Sequence, residues 1–378
     1  MTGPGYPAAR KVAARVEQFF AQHAAAGHSG DDAPAPIPSA AVVEEVVDTA
    51  FWASLRREEG ISPQISLAFL PPERAGHPLV FERPIGFTAA ALAKLAPAVE
   101  RPGIHLGVWP EGKSLRVWGT TRRVPSSCFV LEVAEPGVLV IKYRRGDDLD
   151  KFGTVAVLQG DQIKIIDEEG DSLPDCPALL SSLLSFDASS GAGSSVNVLV
   201  QLAVSMRAHR RGGSLLVVPH GSTAWRESAA RPIPYAISPP LSELSDLLGR
   251  SEAERELPIW RESFRHAVDA VAGLTAVDGA TVISDRYEVL AFGVKIVRRG
   301  QAERVERVSL SEPVIGGTTG VVDPSQLGGT RHLSAAQFAL DQRDSMALVA
   351  SQDGRFTVFA WSPCEDVVHA HRVETLLM

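Results

Sequence analysis

The sequence is poor in cysteine. Cys128, Cys176 and Cys364 are the only three in 378 residues, far apart and without a Cys-x-x-Cys spacing. That excludes a disulfide framework and a cysteine-rich zinc site, and it fits a reducing, cytoplasmic setting. Long apolar runs are also missing. Nothing approaches the about 18 consecutive apolar residues of a membrane span, so none is expected. The stretch from Met1 to Lys11 is rich in Gly, Pro and Ala and lacks the apolar core of a signal peptide. Basic residues are not in excess either. With 37 Lys and Arg against 45 Asp and Glu, the formal charge is −8, so neither nucleic acid nor an anionic membrane is an expected partner. A Gly-x4-Gly-Lys-Ser/Thr segment is absent, which excludes a P-loop ATPase.

What is present is ordinary globular composition, 45% hydrophobic and 22% charged, over a length that suggests two or three domains. Between Arg10 and His23, the residues Val12, Val16, Phe19 and Phe20 form one apolar helical face. Ala24 to Pro38 reads as a mobile linker of Ala, Gly, Asp and Pro. A second amphipathic helix is expected from about Ser39 to Glu59, with Val43, Val46, Val47, Ala50 and Phe51 on its face and Gly60 as C-cap. From Gln64 to Asp167 short apolar runs alternate with turn signals. Strands are expected at Ile65–Leu70, Ile104–Trp109, Leu115–Trp118, Cys128–Val133, Val138–Tyr143, Val155–Leu158 and Ile163–Ile166, with a short helix near Ala89–Leu95. Asp147, Asp148 and Asp150 read as a solvated acidic turn.

Ser189 to Ser195, a Ser/Gly/Ala loop, marks a boundary between domain 1–188 and domain 189–378, and Ser194 or Ser195 could cap the helix that follows. That helix carries Leu199, Leu202, Ala203 and Met206 on one face. It is followed by Gly212-Gly213 and a buried strand, Ser214 to Val218. A helix at Trp260–Leu274, strands at Ala280–Ile283 and Val289–Val297, a helix near Ser334–Leu340 and strands at Ala347–Ala350 and Phe356–Trp361 complete it. The expected fold is α/β, α+β overall: a mixed α+β N-terminal domain and a C-terminal mixed sheet flanked by helices.

Two segments could carry chemistry. In Asp278-Gly279-Ala280, at the start of a strand, the Asp can ligate a hard cation or accept from a ribose hydroxyl. The two small residues leave room for a flat group beside the backbone. Alone, the segment reads first as a plain turn. In Leu327-Gly328-Gly329-Thr330-Arg331-His332, placed just ahead of a helix, glycine-rich backbone presents N–H groups to an anion. Arg331 adds a forked phosphate donor. Alone, this segment reads first as a helix cap with solvated Arg and His. His369 and His371, two apart on one strand face, read as a surface pair for want of a third metal ligand. His220, after Pro219, stands at a strand end where α/β sheets often place ligand groups, and also reads as a loop residue. The Gly316-Gly317-Thr318-Thr319-Gly320 segment reads as a connector.

Taken together, Asp278-Gly279-Ala280 and, about fifty residues on, Gly329-Thr330-Arg331-His332 resemble the paired signature of diadenylate cyclase (DAC) domains. Those domains pair Asp-Gly-Ala with Gly-Thr-Arg-His-Arg. Ala350-Ser351-Gln352 is similar to the family's Val-Ser-Gln or Val-Ser-Glu strand. Arg210 to Pro219, Trp225-Arg226-Glu227 and Pro234-Tyr235 resemble bacterial proteins in which a DACNV probable sensor domain precedes a DAC-like domain. The resemblance implies condensation of two ATP into cyclic di-AMP with release of pyrophosphate. Each 3′-hydroxyl attacks the facing α-phosphate across two domains held face to face, and hence in a homo-oligomer. It implies Mg²⁺ or Mn²⁺ at Asp278, with Asp278, Arg331 and His332 catalytic. Gly279, Ala280, Gly329, Thr330 and Ser351 would bind nucleotide. The departure is Leu333, where the family has a second Arg; Leu cannot donate to phosphate, and Arg298 and Arg299 are the candidates to supply the charge. Gln352 replaces a Glu found in many relatives. Two readings follow: a cyclase under control of the N-terminal domain, favoured by the retained Asp278, or a non-catalytic module that senses ATP or a cyclic dinucleotide, favoured by Leu333.

Overall fold

In a computed structural model, the chain divides into two compact units, 1–166 and 167–377. The structure describes residues 5–26, 35–57, 60–144, 152–166, 197–255, 257–300, 302–314, 320–373 and 375. The Ser189–Ser195 boundary, the acidic turn at 147–150, Cys176, the glycine connector at 316–319 and most of the 24–38 linker lie outside them. The fold is mixed α and β, with one mixed sheet in each unit.

In unit 1 the two apolar stripes form helices α1 (Pro7–Ala26) and α2 (Ala40–Ser54). Ser39 caps α2 by accepting from the Val42 N–H, satisfying an otherwise orphaned donor. Val12, Val16, Phe20, Val43, Val46, Val47 and Ala50 are fully buried. Each large side chain among them stabilises the fold by about 1.5–3 kcal/mol. The helix α2 ends at Ser54, short of the expected Glu59, and its C-cap is Leu55, not Gly60. The reason is local. Leu55 is exposed, so the apolar stripe has run out, and the Ser54 hydroxyl donates back to the Phe51 carbonyl while accepting from Gly137 N–H. Ala35, expected in a linker, is buried beside Trp118 and Cys128.

The sheet of unit 1 comprises β1 (Ile65–Phe69), β2 (Leu79–Gly86), β3 (His105–Glu111), β4 (Ser114–Thr121), β5 (Phe129–Glu135), β6 (Val138–Arg144), β7 (Phe152–Gln159) and β8 (Gln162–Ile165), with helix α3 (Ala89–Leu95) after β2. The order is β2-β4-β3-β1-β5-β6-β7-β8. β1 runs parallel to β3, and every other neighbour pair is antiparallel. All seven expected strands are present. β2 was not foreseen: it is an edge strand, largely exposed, and contains Pro84, so it lacks the alternation that marks half-buried strands.

Unit 2 holds helices α4 (Val198–Ala208), α5 (Glu243–Leu248), α6 (Pro258–Leu274) and α7 (Thr330–Asp341). Its strands are β9 (Gly213–Val218), β10 (Tyr235–Leu241), β11 (Ala280–Ser284), β12 (Val289–Val294), β13 (Val308–Ser311), β14 (Gly320–Val322), β15 (Met346–Ala350), β16 (Phe356–Ser362) and β17 (Val367–Arg372). They run in the order β10-β12-β11-β9-β15-β16-β17-β13-β14. The unbroken apolar run of β9 follows from burial on both faces. Leu215 and Val217 pack with Leu199, Met206, Phe264 and Val268 of α4 and α6. Leu216 and Val218 pack with Ala335, Phe338 and Ala339 of α7. The cap of α4 is Asn197, whose side chain accepts from Val200 N–H; Ser194 and Ser195 lie outside the described residues. The helix α7 begins at Thr330 with Gly329 as N-cap, so Thr330-Arg331-His332 forms its first turn instead of preceding it.

His369 and His371 are fully buried, not a surface pair. The strand β17 is interior, because β13 and β14 extend the sheet beyond it. His371 Nδ1 lies 2.6 Å from Ser311 Oγ, and His369 Nε2 2.9 Å from Glu365 Oε2. Burial pushes His371 down to about 3, helped by His369, and pushes His105 of unit 1 down to about 4. Both rings stay neutral in the fold, whereas in the unfolded chain they take a proton near the ordinary 6.5. Below that pH the unfolded state binds more protons. Their stabilising contribution is therefore complete above about pH 6.5 and is lost progressively down to about pH 4 for His105 and about pH 3 for His371. Thermal unfolding followed from pH 8 to pH 5 should show falling midpoints, with a shallower decline in His105→Asn and His371→Asn. Equal slopes in both variants and the parent would refute the assignment.

Candidate functional site

Strand register brings four chain segments to one end of the unit 2 sheet. Ser214 pairs with Ala280, Ala280 with Val294, and Gly213 with Ala350. Gly212, Asp278-Gly279, Lys295 and Ser351-Gln352 therefore flank the same sheet end. The first turn of α7 reaches it through Arg331. A Cβ on Gly212 (φ +68°) would lie 2.9 Å from Arg331 Nη1 and 3.2 Å from the Ala350 carbonyl oxygen. The guanidinium thus rests against bare backbone, which only glycine permits there.

Asp278 is exposed, and its Oδ2 lies 2.5 Å from Lys295 Nζ. The hydrogen bond from Lys295, then the Lys295 charge, and less strongly the Arg331 charge hold the carboxyl below the usual aspartate range. Asp278 and Arg331 are thus within electrostatic reach of one another. Gly279 has φ +120°, and a Cβ there would fall 2.4 Å from the Gly293 carbonyl carbon, so β11 and β12 approach too closely for any side chain. The Tyr235 ring lies against Gly293 and stacks on Phe292 with centroids 4.6 Å apart.

The remaining residues of the two motifs differ in placement. Gly329 and Thr330 are exposed, and no side chain caps the α7 N-terminus, so its first turn is open to an anion. Ser351 is half-buried, donates its hydroxyl to Asp353, and anchors the turn to Arg355 through its N–H. Ala280 is buried and faces the α7 side of the core. His332 is turned inward. It is buried, edge-on to Phe359 at 6.1 Å and against Gly328, and burial lowers its pKa. Its Nε2 is buried without a hydrogen-bond partner among the described residues. Helical spacing explains this: 332, 335, 336 and 339 share the buried face of α7. Leu333 packs against the same core, as expected of a residue that only fills the helix. Of the two arginines considered as substitutes, Arg299 is bound to Glu227 at 2.5 Å and Arg298 is exposed. Lys295, which carries no motif, is the cation that stands at Asp278. His220 lies at the opposite end of β9, where its Nδ1 is 2.7 Å from Glu288 Oε2. A surface concavity lined by Ile237, Pro239, Leu241, Asp246 and Arg250 shares no residue with the cluster.

The donor set is poor for a divalent cation. Among the described residues no group of three or more His, Cys, Asp or Glu could hold one, and the Asp278 carboxylate is bonded to an ammonium. These residues do not fit a metal centre. They do fit an anion with a flat polar body: two cations, an open helix N-terminus and side-chain-free backbone.

A family model described as probable sensor domain DACNV matches residues 32–122, from α2 through β4 of unit 1. The match supports a sensory character for that unit. No curated protein matches the chain.

Proposed function

We propose that unit 2 is a DAC-like module that binds ATP or a cyclic dinucleotide, working with a sensory N-terminal unit. The observation that supports this reading is the meeting of Arg331, Lys295 and Asp278 at one glycine-lined sheet end. Arg331 and Lys295 would hold phosphate oxygens by charge-assisted hydrogen bonds. The open first turn of α7, with Gly329 and Thr330, would add N–H and hydroxyl donors. Gly279 would let a sugar or base approach the backbone, and Asp278 would accept from a ribose hydroxyl.

The second reading is condensation of two ATP into cyclic di-AMP by two copies of the chain face to face, which would require Mg²⁺ or Mn²⁺ at Asp278 with Lys295 displaced from the carboxylate. Retention of Asp278 beside Arg331 favours it. The Asp278–Lys295 pair and the inward His332 favour binding without turnover. Incubation of the full chain with ATP and Mn²⁺, followed by chromatography for cyclic di-AMP, separates the two. The binding reading expects calorimetric heat with ATP or cyclic di-AMP and no product. Product that vanishes in Asp278→Asn supports condensation. No heat with any adenine nucleotide rejects both.

A further inference from the structure

We infer that Lys295 takes the place of a divalent cation at this site, so that the chain binds its nucleotide without metal. The inference rests on the nucleotide reading above and concerns how the phosphates are neutralised. Lys295 follows the last residue of β12, whose Val294 pairs with Ala280. Its backbone is therefore fixed beside Gly279, and its ammonium reaches Asp278 Oδ2 at 2.5 Å. A divalent ion beside a nucleotide is held by one or two carboxylates together with phosphates and waters, so it needs a carboxylate free to ligate it. At Asp278 it would first have to displace an ammonium from the carboxylate. Among the described residues no group of three or more His, Cys, Asp or Glu could hold such an ion.

The local charge points the same way. Lys295 and Arg331 both act on Asp278, while Asp353 by the Ser351 turn is paired with Arg355, so the two cations remain available to phosphate. Leu333 contributes none, being packed into the core. The pair is solvent-exposed on both sides, with side chains 54% and 88% accessible. Exposed pairs contribute little and exchange partners readily. A phosphate can therefore recruit the Lys295 ammonium without a large penalty, while the backbone register keeps the lysine in place.

The test is ATP binding to the full chain by calorimetry in excess EDTA and again with Mn²⁺, with Mn²⁺ binding alone read by electron paramagnetic resonance. The parent chain should bind ATP in EDTA with a Kd within about threefold of its value with Mn²⁺. Lys295→Ala should weaken binding in EDTA about 10- to 100-fold, as loss of a charge-assisted contact does, and Lys295→Arg should largely restore it. Unchanged melting of both variants would show that the fold is intact. Binding by the parent only with Mn²⁺, or an unaltered Kd in Lys295→Ala, would overturn the inference and leave the nucleotide reading standing. No ATP or cyclic dinucleotide binding in either condition would overturn the nucleotide reading, and this inference with it.

Discussion

Replacing Arg331 by Ala is expected to weaken ATP or cyclic dinucleotide binding about 10- to 100-fold with little change in stability. Arg331 is half-buried in the first turn of α7, its guanidinium against bare backbone at Gly212, and its charge acts on Asp278. Its stem covers little core, since the buried face of α7 is made by His332, Ala335, Ala336 and Ala339. Its loss therefore removes a forked donor without opening a cavity. Arg331→Lys should recover part of the affinity only, because a point charge cannot make the paired hydrogen bonds of a guanidinium. Calorimetric titration of the three proteins checks this. Affinity that does not change in Arg331→Ala would place the ligand elsewhere.

The second large effect is on stability. Gly279→Ala should destabilise unit 2 by about 2–6 kcal/mol. That sums a strained positive φ of roughly 1–3 kcal/mol and an overpacking cost of about 1–3 kcal/mol. The φ of +120° disfavours any side chain, and the new Cβ would meet the Gly293 backbone at 2.4 Å. Relief would require β11 and β12 to part, which also moves Lys295 from Asp278. Urea unfolding should show a reduced midpoint, and nucleotide affinity should fall with it. A loss below about 1 kcal/mol would mean that the two strands are not so closely apposed.

Much of the architecture was legible because burial imposes periodicity. The alternating and continuous apolar runs of β1, β3, β5, β6, β9 and β15 and the stripes of α1, α2 and α6 stand out in sequence for that reason. The edge strands β2 and β10 did not. Both are largely exposed and carry prolines, Pro84 in one and Pro239 and Pro240 in the other, so neither pattern nor propensity marks them. Of the site, Asp278, Gly279 and Arg331 could be singled out because glycine, acid and arginine cluster at turns. Lys295 could not: it is one exposed lysine after a strand, and only the pairing of Val294 with Ala280 sets it beside the motif. His332 carried a signal that competes with the motif, since its spacing to Ala335, Ala336 and Ala339 assigns it to the buried helix face. The interior place of His369 and His371 depended on β13 and β14, short strands of three or four residues with little to mark them.

Amide hydrogen exchange of the full chain with and without ATP addresses the central claim most directly, because it reports where the ligand acts without presuming turnover. The structure leads us to expect slowed exchange at 278–280, 293–295 and 329–333 together. Exchange unaltered at all three segments, or slowed only around the Ile237–Arg250 concavity, would contradict it.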